Sequence, residues 1–348
     1  MRHPTIENKS GFRFDVLPLA DKDGRPLMVC VVKGTFEIGR SGMLSLSENQ
    51  ASLNVAGEYW GDPEKTSYKY EPECAFLKLA TDVVLIGHAY APRRRTTEVL
   101  ASLRAGPVEK SIRVIGDRFW VKTLGLICST DPQPFERIPL CYERAFGGWD
   151  RSDPNPQKHA FEPRNPVGLG FRSKNGRFQE GLRLPNLEYP RQSLRTYGSI
   201  VPPAGFGFTA PHWEPRAKFG GTYDKNWTDR RMPLLPLDFD YRFFNGASEG
   251  LVAPGYFRGD ESVLVENASS DGRLLFRLPA VPPPQIAVEL KGAQHVTVET
   301  RLDTVIINTD DRLLFLIWRG NLPLKRGMED ISAVQVPGRV GSNILTGI

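Results

Sequence analysis

Residues 141 to 171 constrain the fold most, because Cys141 to Asp150 (CYERAFGGWD) and Phe161 to Phe171 (FEPRNPVGLGF) mix large rings with closely spaced glycine and proline. Glycine admits positive φ and close backbone approach, and proline fixes φ and removes a hydrogen-bond donor. Neither a helix nor a regular strand can run through such a stretch. The rings of Tyr142, Phe146, Trp149, Phe161 and Phe171 nevertheless need packing partners. The expectation is an ordered, irregular loop, the kind of element in which binding or catalysis resides when a rigid scaffold carries it.

The same composition continues beyond the loop. Fifteen of the sixty residues from 151 to 210 are Gly or Pro, yet Phe171, Phe178, Tyr189, Tyr197, Phe206 and Phe208 recur among them. A disordered linker would be poor in aromatics, so a folded, loop-rich layer is expected. Residues 211–231 offer one or two helical turns on either side of Gly220 and Gly221.

Both flanks alternate in the period of strands. On the N-terminal side, Phe12, Phe14 and Val16 alternate before the turn at Asp21–Gly24, and the apolar run Leu27–Val32 follows. Asp82–Tyr90 is expected to pair with Thr97–Arg104, and Ile112–Trp120 with Val121–Leu124. On the C-terminal side, strand-like runs at 262–266, 273–278, 286–290, 296–302, 304–308 and 312–318 are separated by turn signals at Ser269–Gly272 and Thr309–Asp311. The reading is an all-β, mainly antiparallel, sandwich-like fold with few short helices. It comprises an N-terminal β region (1–140), an irregular central layer (141–240) and a C-terminal β region (241–348), which can also be parts of one continuous domain.

Chemistry is sparsely signalled. Cys30, Cys74, Cys128 and Cys141 form no CxxC pair, and Cys30 and Cys128 sit in apolar runs as small core residues. No histidine has metal-ligand spacing, so no metal or cofactor is expected. His88, beside Gly87, reads as a hydrogen-bonded core histidine, with a base or ligand as the alternative. GxSxG, P-loop and dinucleotide fingerprints are missing. Paired carboxylates beside aromatics, Asp150, Asp153 and Glu162 near Trp149, and Asp224 and Asp229 near Trp227, could serve glycoside hydrolysis. The same residues serve equally as turn formers and arginine partners.

With 45 basic against 40 acidic residues the net charge is +5, too small an imbalance to argue for nucleic acid. Arg93, Arg94 and Arg95 read as a solvated turn. The first ten residues lack an apolar leader segment, and no run has membrane-span length. A cytoplasmic, non-enzymatic protein is expected. Arginines recur beside the aromatics, Arg144 before Phe146, Arg164 before Asn165, Arg216 after Trp213, and Arg230 and Arg231 after Trp227, and suit an internal lattice or a binding interface.

The chain resembles a bacterial family of type VI secretion effector adaptors, or chaperones, long catalogued only as a domain of unknown function. The resemblance rests on CYERAFGGWD (141–150) and EPRNPVGLG (162–170), with Lys33–Phe36, Asp82 through Gly87–Ala89, Gly116–Trp120, Trp213–Arg216, Gly221–Asp224 and Trp227, Pro236–Asp240, Leu302–Val305 and Trp318–Gly320, in order over about 10–325. It implies a protein that holds a toxic effector, typically a PAAR-tipped and often Rhs-type toxin, and helps load it onto a VgrG spike. Some members carry a C-terminal pentapeptide-repeat extension that the residues up to Ile348 do not show. On this reading Arg144, Phe146, Trp149, Arg164, Asn165, Trp213, Arg216, Tyr223 and Trp227 are scaffold or partner-contacting positions. The alternative is a carbohydrate-binding or carbohydrate-active protein using the Trp- and Asp-rich loops.

Overall fold

Continuous runs of β-branched and aromatic residues demand a sheet buried on both faces, and one lies at the centre of the computed structural model, which describes residues 4–174 and 176–338. Its strands run in the order Arg13–Ala20, Pro26–Ile38, Leu313–Pro323, Arg301–Asn308 and Asp82–Ile86, with Leu44–Leu46 added beside the end of Pro26–Ile38. Pairing is antiparallel except between Arg301–Asn308 and Asp82–Ile86. Nearly every residue of Pro26–Ile38, and all of Asp82–Ile86, is buried.

Two further sheets alternate buried and exposed residues, as half-buried sheets do. One is five-stranded, in the order Leu187–Glu188, Val108–Ile115, Glu98–Ala105, Ser262–Glu266 and Arg273–Arg277. The other is four-stranded, in the order Thr5–Asn8, Ile331–Val336, Gln285–Leu290 and Gln294–Glu299. Leu103, Val263 and Phe276 from the first, and Ile286, Val288 and Val334 from the second, join Val31, Leu85 and Leu316 of the central sheet in one hydrophobic core. The fold is therefore all-β and mainly antiparallel, and strands from both ends of the chain share its sheets.

Local signals translate directly into hairpins. The turn at Asp21–Gly24 closes because the Asp21 carboxylate accepts the Asp23 and Arg25 amides, both at 2.9 Å. Strands Ser262–Glu266 and Arg273–Arg277 pair across Ser269–Gly272 as expected, and Arg301–Asn308 pairs with Leu313–Pro323 across Thr309–Asp311. Arg93–Arg95 lie exposed in a turn. The helical turns expected at 211–231 are a 3-10 turn at Arg216–Gly220 and an α-helix at Lys225–Arg230.

Three expectations are corrected. Asp82–Ile86 pairs with Arg301–Asn308, while His88–Tyr90 pairs with Arg137–Pro139; neither meets 97–104, which pairs with Val108–Ile115 and Ser262–Glu266. The expected strand Ile112–Trp120 breaks before Phe119, and Phe119–Thr123 turns back on Leu126–Ser129. Cys128 is exposed on that last strand rather than in the core. Cys30 is buried, and burial pushes its thiol up to about 12.

Candidate functional site

Eight buried charges form a mount that ties the stretch 71–81, and through Arg216 the central layer, to the central sheet. Lys33, Asp82, Asp303 and Arg319 come from strands of the central sheet, and Asp303 is the extra residue of a bulge between Leu302 and Thr304, a device that re-aims a side chain. The irregular stretch 71–81 adds Glu71, Glu73 and Lys78, and the 3-10 turn adds Arg216. Lys78 Nζ lies 2.6 Å from Glu71 and 2.7 Å from Asp82, and Arg216 Nη1 lies 3.1 Å from Glu71. Lys33 meets Glu73 at 2.6 Å, and Arg319 meets Asp303 at 2.7 Å while also donating to the Glu73 and Ala75 carbonyls.

All eight are at most 8% exposed, and the four positive charges balance the four negative ones. Such burial is tolerable only when every ion is paired and hydrogen-bonded. Burial opposes the charge on Lys78, but Asp82 and Glu71 more than offset it and raise its pKa. Burial likewise opposes Glu71, whose carboxyl Lys78 and Arg216 nonetheless hold below the ordinary range. Asp82 goes the other way, raised by burial despite Lys78.

Of the expected site residues, Arg216 is part of this mount. Arg216 also donates to the Phe243 carbonyl at 2.7 Å and the Thr209 carbonyl at 2.5 Å. Trp213, 2% exposed, meets Tyr142 edge-on with ring centroids 5.4 Å apart. Tyr142 in turn donates to Ser248 Oγ at 2.9 Å, which Lys110 Nζ approaches to 2.7 Å. Burial pushes the Lys110 ammonium down to about 7, but Ser248 is 2% exposed and its N–H donates to the Gly207 carbonyl. The pair anchors Tyr142.

The loop at 141–171 is locked by its own backbone. Gly148 N–H donates to the Asn165 carbonyl at 2.8 Å, Leu169 N–H to Ala145, and Phe171 N–H to Gly147. The Asn165 amide, fully buried, donates to the Tyr142 and Phe146 carbonyls at 2.8 and 3.0 Å, supplementing the short ladder of Phe146–Gly147 with Leu169–Gly170. Phe146 is fully buried with Trp120, Phe171, Leu184 and Leu194 in a second apolar cluster. Arg144 reaches Asn186 at 3.4 Å, and Arg164 grips Glu162 with two bonds of 2.6 and 2.9 Å.

What the loop presents to solvent is aromatic and cationic. Trp149 and Phe161, 44% and 41% exposed, are cross-strand partners stacked with centroids 4.5 Å apart, and the Arg151 guanidinium lies 5.0 Å from the Trp149 ring. Trp149 and Arg151 line a groove of about 490 Å³ with Lys65, Arg172, Arg183 and Glu64, in which Lys65, Arg172 and Arg183 are paired with Asp62, Asp150 and Asp117. Tyr223 and Trp227 form a separate pair, edge-on at 4.7 Å, with Asp224 capping the helix through the Trp227 amide. Trp227 Nε1 donates to the Leu234 carbonyl, and Arg231 ties this corner to Asp23. Exposed Tyr223, Met232 and Leu237 crowd the same segment.

The neighbouring carboxylates are committed. Burial opposes ionisation of Asp150, but hydrogen bonds from Ser152 and Ser173 outweigh it and hold the carboxyl down at about 2. A general acid needs the opposite shift. A depressed native pKa contributes stability above the unfolded value near 3.8, lost as pH falls through the native one. Asp150→Asn is therefore expected to cost about 1–2 kcal/mol in urea unfolding at pH 7, and the deficit should shrink between pH 4 and pH 2. His88 Nδ1 lies 2.6 Å from Asp310, which also accepts the Tyr90 hydroxyl. Among the described residues no cluster of His, Cys, Asp and Glu could hold a metal ion, and no helix is long and apolar enough to cross a membrane.

Sequence reasoning singled out five of the eight mount charges through their motifs and passed over Glu71, Glu73 and Lys78. Their signal was the charge set within EPECAFLKL (71–79), where Lys78 stands between two leucines. No curated protein and no solved structure matches the chain. Residues 23–319 hold all eight mount charges and the whole aromatic loop, and over that span the chain matches the family model described as "Uncharacterized protein conserved in bacteria (DUF2169)", so it belongs to that family.

Proposed function

We propose that this protein is a type VI secretion effector adaptor, or chaperone, that binds a PAAR-tipped, Rhs-type toxin in the cytoplasm and assists its loading onto a VgrG spike. The observation that carries the reading is the Trp149–Phe161–Arg151 stack standing exposed beside a groove on a backbone locked from beneath. Trp and Arg on a preorganised surface are the chemistry of protein-binding hot spots. The motif resemblance supplies the kind of client. Arg151 over the exposed Trp149 ring favours a client segment that presents acidic or aromatic side chains.

Capture of a PAAR-tipped toxin encoded beside this chain, after co-expression, tests the reading. Trp149→Ala should weaken capture at least tenfold, as loss of a hot-spot aromatic does, with only the small loss of stability, about 1 kcal/mol, that goes with its stack on Phe161. Undiminished capture by the folded Trp149→Ala protein would remove the groove from the interface. A sugar stacking on Trp149 would have to compete with Phe161 and Arg151, so glycan arrays and hydrolysis assays should be silent.

A further inference from the structure

The hairpin Phe119–Thr123 and Leu126–Ser129 forms a three-stranded sheet in which Leu182–Arg183 pairs with Phe119–Trp120. Leu126–Ser129 is its outer strand, and all four residues are exposed. The two-residue turn Leu124–Gly125, both at positive φ, makes Thr123 and Leu126 a hydrogen-bonded pair. By alternation Cys128 is bonded inward to Val121, while the N–H and C=O groups of Ile127 and Ser129 point away from the sheet. No described residue accepts from or donates to them.

Natural sheets protect such an edge with charge, proline or a bulge. This strand, Leu-Ile-Cys-Ser, carries none of these, and its apolar side chains are out in solvent: Leu126 at 74%, Ile127 at 41%, and Leu124 of the turn at 99%. Backbone groups spaced in this way are complementary to one kind of ligand, another extended chain. A second copy of this protein fits poorly, because a four-residue edge falls far short of the roughly 1,200 Å² that a stable dimer buries. A client already seated nearby needs no such area. Leu182 and Arg183, on the opposite edge of the same small sheet, line the Trp149 groove, two strand spacings or about 10 Å away.

We infer that Leu126–Ser129 is a strand-addition site, at which an extended, uncharged, apolar segment of the bound client pairs antiparallel with Ile127 and Ser129. The inference deepens the adaptor reading and rests on it for the identity of the partner.

The probe is a fluorescein-labelled eight-residue peptide of alternating valine and threonine, added to the full chain. Saturable anisotropy is expected, with amide-exchange protection gained at Ile127 and Ser129, while Leu126 and Cys128, already bonded inward, change little. Ile127→Pro removes one outward donor without touching an inward one, and Leu126→Lys places charge on the edge. Each should weaken peptide binding at least tenfold with unchanged thermal unfolding, and the second serves if the first disturbs the hairpin. Protection confined to another edge would overturn the inference, as would sedimentation showing that the free protein self-associates through this strand. The two readings separate cleanly. Peptide protection without toxin capture sinks the adaptor and leaves the edge. Toxin capture unaffected by either variant, with no peptide binding, sinks the edge and leaves the adaptor.

Discussion

Replacing Lys78 with methionine should destabilise the protein by about 3–5 kcal/mol at neutral pH, the usual cost of breaking a buried ion pair from one side. Lys78 is 3% exposed and is shared by Glu71 and Asp82 at 2.6 and 2.7 Å. Glu71 keeps Arg216 when the lysine goes. Asp82 keeps only neutral donors, the Asn245 amide and the Gly246 N–H, and burial already raises its pKa. In the variant it should take up a proton on folding. A raised native pKa gives stability that is present below the unfolded value and lost as pH rises through the native one, so the deficit should be smaller at pH 5 than at pH 8. Adding Asp82→Asn should recover part of the loss at pH 8, because the uncompensated charge is gone. Urea midpoints for the two variants at both pH values provide the check. A deficit independent of pH, or a double variant worse than additive, would mean that Asp82 is not the charge left stranded.

How far this arrangement is legible in the sequence depends on the range of each interaction. Hairpins at Asp21–Gly24, Ser269–Gly272 and Thr309–Asp311 are readable because turn and strands lie within a few residues of one another. The parallel pairing of Asp82–Ile86 with Arg301–Asn308 spans more than two hundred residues, and alternation within either strand says nothing of its partner. The mount was half visible: Lys33, Asp82, Arg216, Asp303 and Arg319 stand in motifs that the family resemblance marks, but only the fold shows that they meet. Cys128 was misread for a physical reason, since Leu126 and Ile127 beside it form the apolar run of a core strand and nothing local reveals an unpartnered edge. The aromatics of the central layer look alike in sequence, yet Phe146 and Trp213 are sealed in cores while Trp149 and Tyr223 face water.

Gly148→Ala should be among the most damaging single changes in the aromatic loop, costing about 3–5 kcal/mol and, on the adaptor reading, abolishing toxin capture. Two penalties add at this position. The backbone is at φ +89°, a conformation that costs a side-chain-bearing residue about 1–3 kcal/mol. A Cβ there would also lie 2.2 Å from the Gly168 carbonyl oxygen, a backbone atom that no rotamer change can move aside. The strands at 146–147 and 169–170 would have to separate, loosening the Gly148 to Asn165 bond and the buried Asn165 contacts that supplement their short ladder. Trp149 follows directly in the chain, so its ring would leave the stack with Phe161. Gly181→Ala separates the two penalties, because Gly181 sits at φ +75° with nothing within 4 Å of an added Cβ; it should cost only about 1 kcal/mol, the strain alone. Equal losses for the two variants in urea unfolding would show that the close crossing of 148 and 168 yields without cost, and the loop's rigidity would then need another source.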